Sequence, residues 1–395
     1  MNQGRYIFSQ IVDFIPHYQL EKSIQKYKGD YRVHELTTYN QFLHLFFGQL
    51  TGCNSIRDIC MCLGAHKKIL YSLGFRKTVA HTTLTRANEK RNYRIFEELG
   101  QYLIAKVRPL YATVKLENLS IDNVLYALDS TTISTSIKLA TRALGKYAKG
   151  AVKMHTLLDL RGSIPASIHI TDGKWHDSNV LDILDPEPYA VYAMDKAYVD
   201  FAALYRFQQA GAFWVSRAKD NMRYRITATR TDFKASSGIR SDYTIELEVV
   251  KSRNLYPEPM RLIHCYDEKN EERVTFITNN FDWSPLEIAN IYRHRWDIEV
   301  FFRWIKQNIV IKTLWGYSEN AVKVHLWVAI STYLILALIK YEKQSDFSIT
   351  EMVTLLGISV FEKTDLAELV SKTNGLETEQ DSNKNVKEQL TIIFN

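Results

Sequence analysis

A chain of 395 residues exceeds the roughly 250–300 at which one core usually stops growing, so two or three packed units are expected. Hydrophobic residues at 46% and charged residues at 24% exclude a disordered chain. A formal charge of +6 and an isoelectric point near 8.8 suit a polyanionic partner without specifying one. Cys53, Cys60, Cys62 and Cys265 form no CxxC pair, and the one-residue spacing of Cys60 and Cys62 is too tight for a zinc knuckle. They read as buried thiols in a reducing cytosol. The first residues, MNQGRYIFSQIVDF, lack the basic start, apolar run and small-residue cleavage site of a signal peptide.

Residues 1–118 read as a helical N-terminal domain, with apolar positions at helical spacing through Tyr39–Leu50 and Ser55–Leu63. Within it, SIRDICMCLG and HTTLTRANEKRNYRIFEEL resemble two helices around a short basic connection, with Thr82 or Thr83 as cap and Arg86, Lys90 and Arg91 exposed. That is either a DNA-reading helix-turn-helix or a solvated basic face.

From residue 119 the pattern becomes strand-like: Val124–Leu128, Val152–Leu158, Ile164–Ile170, Tyr189–Met194 and Phe213–Val215, with helical stretches near Asn179–Leu184 and Asp200–Ala210. Three strands, a helix, a strand and a helix indicate a mixed α/β sheet over 119–219. Residues 220–273 read as a β-rich insertion, with alternating runs at Tyr224–Thr229, Tyr243–Val250 and Met260–Tyr266. Val274–Asn280 returns to the main sheet, and Ser284-Pro285 opens a long helix within a second core segment, 274–345. Val324–Ile339 is apolar but shorter than the ~20 residues a membrane span needs, and reads as a core helix. Residues 346–395 form a C-terminal segment in which Leu376–Gln389 has the composition of a mobile tail.

Asp129 and Asp195 each follow an apolar strand, VLYAL and YAVYAM. Two carboxylates brought side by side in a poorly solvated site need a compensating cation, and hard oxygen ligands favour Mg²⁺ or Mn²⁺. Each aspartate taken singly reads more simply as a turn or helix cap. On the later helix, at about 100° per residue, Tyr292, Arg295 and Lys306 fall within about 40° of Glu299, giving one polar stripe. Ile298, Phe301, Phe302 and Ile305 fall on the adjacent apolar face. Such a stripe suits a phosphodiester, with the acid holding metal and the cations holding phosphate. The bland alternative is an exposed Arg295–Glu299 pair worth ~0.3–0.5 kcal/mol.

The spacing Tyr292, Arg295, Glu299, Lys306 resembles the Y-(2)-R-(3)-E-(6)-K signature of bacterial insertion-sequence transposases of the family-four type. Asp129 in LDSTT and Asp195 in MDKAYVD resemble the first two acids of that family's DDE triad, and GAVKMHTLLDLRG, His176-Asp177-Ser178 and FWVSRAKDN are similar too. LTRANEKR resembles, more loosely, the family's end-recognition region. The resemblance implies an RNase H-like (retroviral-integrase-type) α/β catalytic core with a β-rich insertion, preceded by a helical DNA-binding domain. It implies Asp129, Asp195 and Glu299 as catalytic residues holding two Mg²⁺ or Mn²⁺ ions. It also implies DNA contacts from Tyr292, Arg295 and Lys306, with Arg217 and Lys219 as further candidates.

The implied activity is cleavage of DNA at element ends followed by strand transfer. The partners would be double-stranded DNA, both terminal inverted repeats and target, and a second copy of the chain, in the cytoplasm and away from membranes. Two other readings stay open: an RNase H-like nuclease without strand transfer, and a DNA-binding regulator. Some relatives stack a flipped base on a Trp in the strand before the signature helix. Val274–Thr278 has none, and Trp283 lies after it.

Overall fold

The computed structural model describes residues 4–134, 151–231, 238–267, 272–308, 315–316 and 318–371. The tail expected over Leu376–Gln389 lies outside them. Two compact units emerge: of the described residues, one takes 4–110, 133–134 and 301–371, the other 111–132 and 151–300. The sequence-based boundary at residue 118 thus falls at 110, and residues 301–345 group with the N-terminal helices instead of the sheet.

The first unit contains α1 (Ile7–Val12), α2 (His17–Lys26), α3 (Thr38–Leu50), α4 (Ile56–Ala65), α5 (His81–Lys90) and α6 (Arg94–Val107). Side-chain caps set two of the starts: Thr37 accepts from the Asn40 amide at 3.2 Å and Ser55 from the Asp58 amide at 3.1 Å. The C-terminal helix Glu319–Glu342 joins this unit because it is apolar on all sides. Every residue from Val324 to Ile339 is buried, and it packs on α3, α5, α6 and the helix Ile349–Ser359. By length and composition it could cross a membrane, yet 94% of its apolar window is buried inside the protein, as expected of a core helix. Gly100 on α6 permits the contact, since a Cβ there would stand 2.5 Å from the Trp327 ring.

The helix-turn-helix expectation meets a different geometry. α4 and α5 are joined by residues 66–80, far longer than the 3–4-residue turn of that motif. α5 starts after Ala80, without a side-chain cap, so Thr82 and Thr83 lie inside its first turn. HTTLTRANEKRNYRIFEEL is two helices, broken where Arg91 turns extended (ψ 135°) and sends its guanidinium back to Gln41 Oε1 (2.8 Å) and the Leu36 carbonyl.

The second unit is built on one sheet of β1 (Leu125–Ser134), β2 (Ala151–Asp159), β3 (Ile164–Asp172), β4 (Val191–Met194), β5 (Phe213–Arg217), β6 (Tyr224–Arg230), β7 (Ile239–Leu247), β8 (Met260–Asp267) and β9 (Glu272–Thr278), in the order β3-β2-β1-β4-β5-β9-β8-β7-β6. β2 and β3 are antiparallel, while β1, β4 and β5 run parallel to one another. This is a mixed sheet, as expected over residues 119–219. Helices α7 (Val180–Ile183), α8 (Phe201–Gln209), α9 (Val250–Leu255), α10 (Pro285–His294) and α11 (Trp296–Asn308) complete the set used below.

β1 and β4 read as unbroken apolar runs because both faces are covered. Tyr126, Leu128, Tyr192 and Met194 join the core under α7 and α8. Alternation sends Ala127, Asp129, Ala193 and Asp195 to the opposite face, where α10 packs on β4 and β5. The inserted strands do not form a separate layer: β9 pairs with β5, and β8, β7 and β6 extend the same sheet. A buried ion pair ties the insertion to the start of α10. Arg261 Nη2 meets Asp242 at 2.7 Å, both side chains 2% exposed, and Nη1 donates to the Trp283 carbonyl at 2.5 Å, one residue before the α10 cap Ser284.

Candidate active site

Parallel pairing places the two aspartates. Leu128 pairs with Met194, so the next residues along the two chains, Asp129 and Asp195, emerge at neighbouring positions on strands ~4.8 Å apart. Asp129 Oδ1 accepts from the Ser130 amide at 2.7 Å. Asp195 also does what a capping residue does, accepting from the Ala197 amide at 3.3 Å. Capping and facing the site are thus compatible in this residue.

Glu299 lies in the first turn of α11, and its partner settles the geometry: Arg295 donates through Nη2 to Glu299 Oε1 at 3.1 Å and through Nη1 to Asp129 Oδ2 at 3.4 Å. The Arg295 side chain is 12% exposed, so this is not the solvated surface pair of the bland alternative. Burial, and then the nearby Glu299 and Asp195 charges, push the Asp129 carboxyl up to about 6 against the opposing pull of the Ser130 amide and Arg295. Burial works against the charge on Arg295, yet Tyr292, Asp129, Glu299 and Asp195 together raise its pKa above the ordinary value. The three acids therefore act on one another across one small region.

The expected single helix is in fact two. Arg295 separates α10 from α11 with i→i+3 hydrogen bonds, its amide to the Tyr292 carbonyl and the Ile298 amide to its own carbonyl. That tightening alters the stripe. Tyr292, expected beside Glu299 on a polar face, is 7% exposed; its ring packs on Phe276 at 5.0 Å between the guanidinium groups of Arg217 (5.6 Å) and Arg295 (5.5 Å). It offers DNA little surface of its own. Lys306 is exposed further along α11. Lys219 donates to the Val199 carbonyl at 2.7 Å and so has a structural partner as well. Trp283 packs edge-on against Phe213 at 5.0 Å. Phe213 pairs with Val191 at the opposite strand ends from Asp195, which removes Trp283 as a base-stacking group at this site.

A network behind β1 was not visible as such in the sequence. Ser130 faces away from Asp129 and donates to Asp177 Oδ1 at 2.6 Å; Lys153 Nζ meets the same oxygen at 3.0 Å. Against the opposing effect of burial, these two contacts hold Asp177 below the usual carboxylate range. Lys153 and His155, polar at alternate positions within the largely apolar run of β2, were the available signal. We expect Asp177→Asn to release Ser130 and weaken divalent-ion binding at the three acids ~10–100-fold, read by metal titration. An unaltered metal requirement would show that the network does not position Asp129.

Among the described residues, no three His, Cys, Asp or Glu side chains stand close enough to grip one ion together, because Arg295 lies between Asp129 and Glu299. The donor chemistry still fits a hard divalent cation. Three carboxylates share the region, one with a strongly raised pKa, and their charge is offset by a guanidinium whose Nε makes no hydrogen bond among the described residues. The four cysteines are unpaired and only partly buried, and burial raises the pKa of each thiol.

Acids at adjacent parallel strand ends, beside a helix that brings a third acid and cations, form a candidate site of the kind that processes phosphodiesters. A family model described as the transposase DDE domain matches residues 122–335, more than half of the chain, and the chain belongs to that family. DDE domains of this family depend on metal ions. A second model, described as a domain of unknown function, matches residues 3–76. Similar proteins include a putative transposase of Sinorhizobium fredii, 29% identical over 62% of this chain and 68% of the relative. A probable transposase for insertion sequence element IS5377 of Geobacillus stearothermophilus is 28% identical over 68% and 70% of the two chains. A putative transposase for insertion sequence element IS4SA of Synechocystis is 25% identical over 73% and 80%.

Proposed function

We propose that this chain is the transposase of an insertion sequence, of the family-four type, that cleaves DNA at the element's ends and joins the freed 3′-hydroxyl to target DNA. The observation that carries the reading is the convergence of Asp129, Asp195 and Glu299 on the buried Arg295. Asp129, Asp195 and Glu299 would hold two Mg²⁺ or Mn²⁺ ions, which supply an activated nucleophile and stabilise the leaving oxygen. Arg295 is the first protein group to meet the scissile phosphate. It is free to turn from carboxylate to phosphate because its present partners are the metal-holding acids. Tyr292 supports Arg295 and Arg217 from below, and Lys306 takes a phosphate further along the duplex. Lys219 steadies the β5 end through Val199.

Lys306→Ala is expected to weaken binding to all duplexes alike and to lower the slope of log affinity against log salt by about 1. An unchanged slope removes Lys306 from the phosphate contacts. Strand transfer distinguishes a transposase from a nuclease on the same fold: incubation with pre-nicked element ends and a plasmid joins the two only in the former. Cleavage without joined product would favour the nuclease. Metal-independent binding without cleavage would favour a regulator. Two copies of the chain are expected to bridge the paired ends, which sizing of the end complex tests.

A further inference from the structure

The helical unit holds an open groove of about 630 Å³ between residues 27–36 and one wall of α5. Four exposed cations line it, Lys28 and Arg32 from the loop, Arg86 and Lys90 from α5. Its one lining acid, Glu35, is paired with Lys77 at 3.1 Å. Two of these cations are held in left-handed backbone, Lys28 at φ 53° and Arg32 at φ 56°. Such strain at bulky residues is kept where surrounding structure enforces it, commonly at ligand clamps. Here the enforcement is visible: Asp30 between them accepts from the Thr38 amide and hydroxyl at 2.6 and 2.7 Å. Beside them Tyr31 is 66% exposed, with the Arg32 guanidinium 5.1 Å from its ring.

We infer that this groove binds single-stranded DNA, with phosphates on Lys28, Arg32, Arg86 and Lys90 and a base stacked on Tyr31. A positive groove with an exposed aromatic face is the physical recipe for a single strand, whose bases are free to stack. A duplex is read by an element that protrudes into its ~12 Å major groove. α5 instead contributes Thr83, Arg86, Ala87 and Lys90 to the wall of a concavity. The inference concerns a site in the helical unit and is independent of the catalytic assignment made in the other unit.

The test uses the full chain and a fluorescent oligo-dT, with a duplex of equal length in parallel. Tyr31→Ala is expected to weaken oligo-dT binding about tenfold and duplex binding little, and Tyr31→Phe to restore it. Lys28→Ala with Arg32→Ala is expected to lower the oligo-dT salt slope by about 1.4, since each single-strand phosphate left without its cation takes away about 0.7. Equal losses for oligo-dT and duplex in Tyr31→Ala would overturn the single-strand assignment. Unchanged oligo-dT binding in both the Tyr31 and the Lys28/Arg32 variants would overturn the site.

Discussion

Glu299→Gln, Asp129→Asn and Asp195→Asn are each expected to lower Mg²⁺-dependent nicking of element ends by at least ~10³-fold while retaining end binding. Metal-held charge stabilisation is worth several kcal/mol, at 1.36 kcal/mol for each tenfold. Wild-type-like nicking by any one of the three would remove it from the triad. Asp129→Asn carries a second, opposite expectation. The folded pKa of Asp129, about 6 against an ordinary 3.8, means that the fold favours the protonated carboxyl. Its stabilising contribution is therefore present below about pH 4 and lost as pH rises through about 6. With the side chain 22% exposed, removing that charge at neutral pH is expected to stabilise the protein by ~1–3 kcal/mol without added metal. Thermal melts of wild type and variant from pH 4 to 8 check this: the curves should separate progressively between about pH 4 and 6 and keep a constant gap above that. An asparagine variant less stable at every pH would contradict it.

Arg295→Gln is the other large perturbation. It removes the cation shared by Asp129 and Glu299 and leaves their charges unpaired in a poorly solvated region, at a cost of ~3 kcal/mol. A divalent ion can replace that charge, so millimolar Mg²⁺ is expected to raise the melting temperature of the variant more than that of the wild type. DNA binding should fall as well, because the guanidinium is also the proposed phosphate contact. A variant that melts like wild type and gains nothing from Mg²⁺ would show that Arg295 is not the counter-charge. Loss of stability with Mg²⁺ rescue but unchanged DNA affinity would confine its role to the acids.

Much of the sheet was legible because each strand carries its own signal. Leu125–Leu128 and Val191–Met194 are apolar throughout since both faces are covered, and the runs of the insertion alternate since theirs are not. The candidate site was legible for a different reason: the spacing of Tyr292, Arg295, Glu299 and Lys306 is a local pattern on nearly continuous helix. Tyr292 shows the limit. Its helical angle beside Glu299 was readable, but the i→i+3 tightening at Arg295 and the Phe276 ring beneath it were not, and they turn an expected surface phenol into a buried support. Thr82 and Thr83 fail similarly. A threonine before an apolar run is a good cap signal, but α5 begins after Ala80.

The sequence by itself determined the strand runs, the candidate acids at their ends and the spacing of Tyr292, Arg295, Glu299 and Lys306, because these depend on neighbours within a few residues. Only the tertiary structure decided which acids share one region. The parallel register of Leu128 with Met194 aligns Asp129 with Asp195, and Arg295 then draws Glu299 to the pair. It also decided that Arg261 and Asp242 tie the insertion to the start of α10, and that Asp177 supports β1 from behind through Ser130. Each joins residues far apart in the chain, because a buried charge must find its counter-charge or hydrogen-bond partner wherever the fold supplies one.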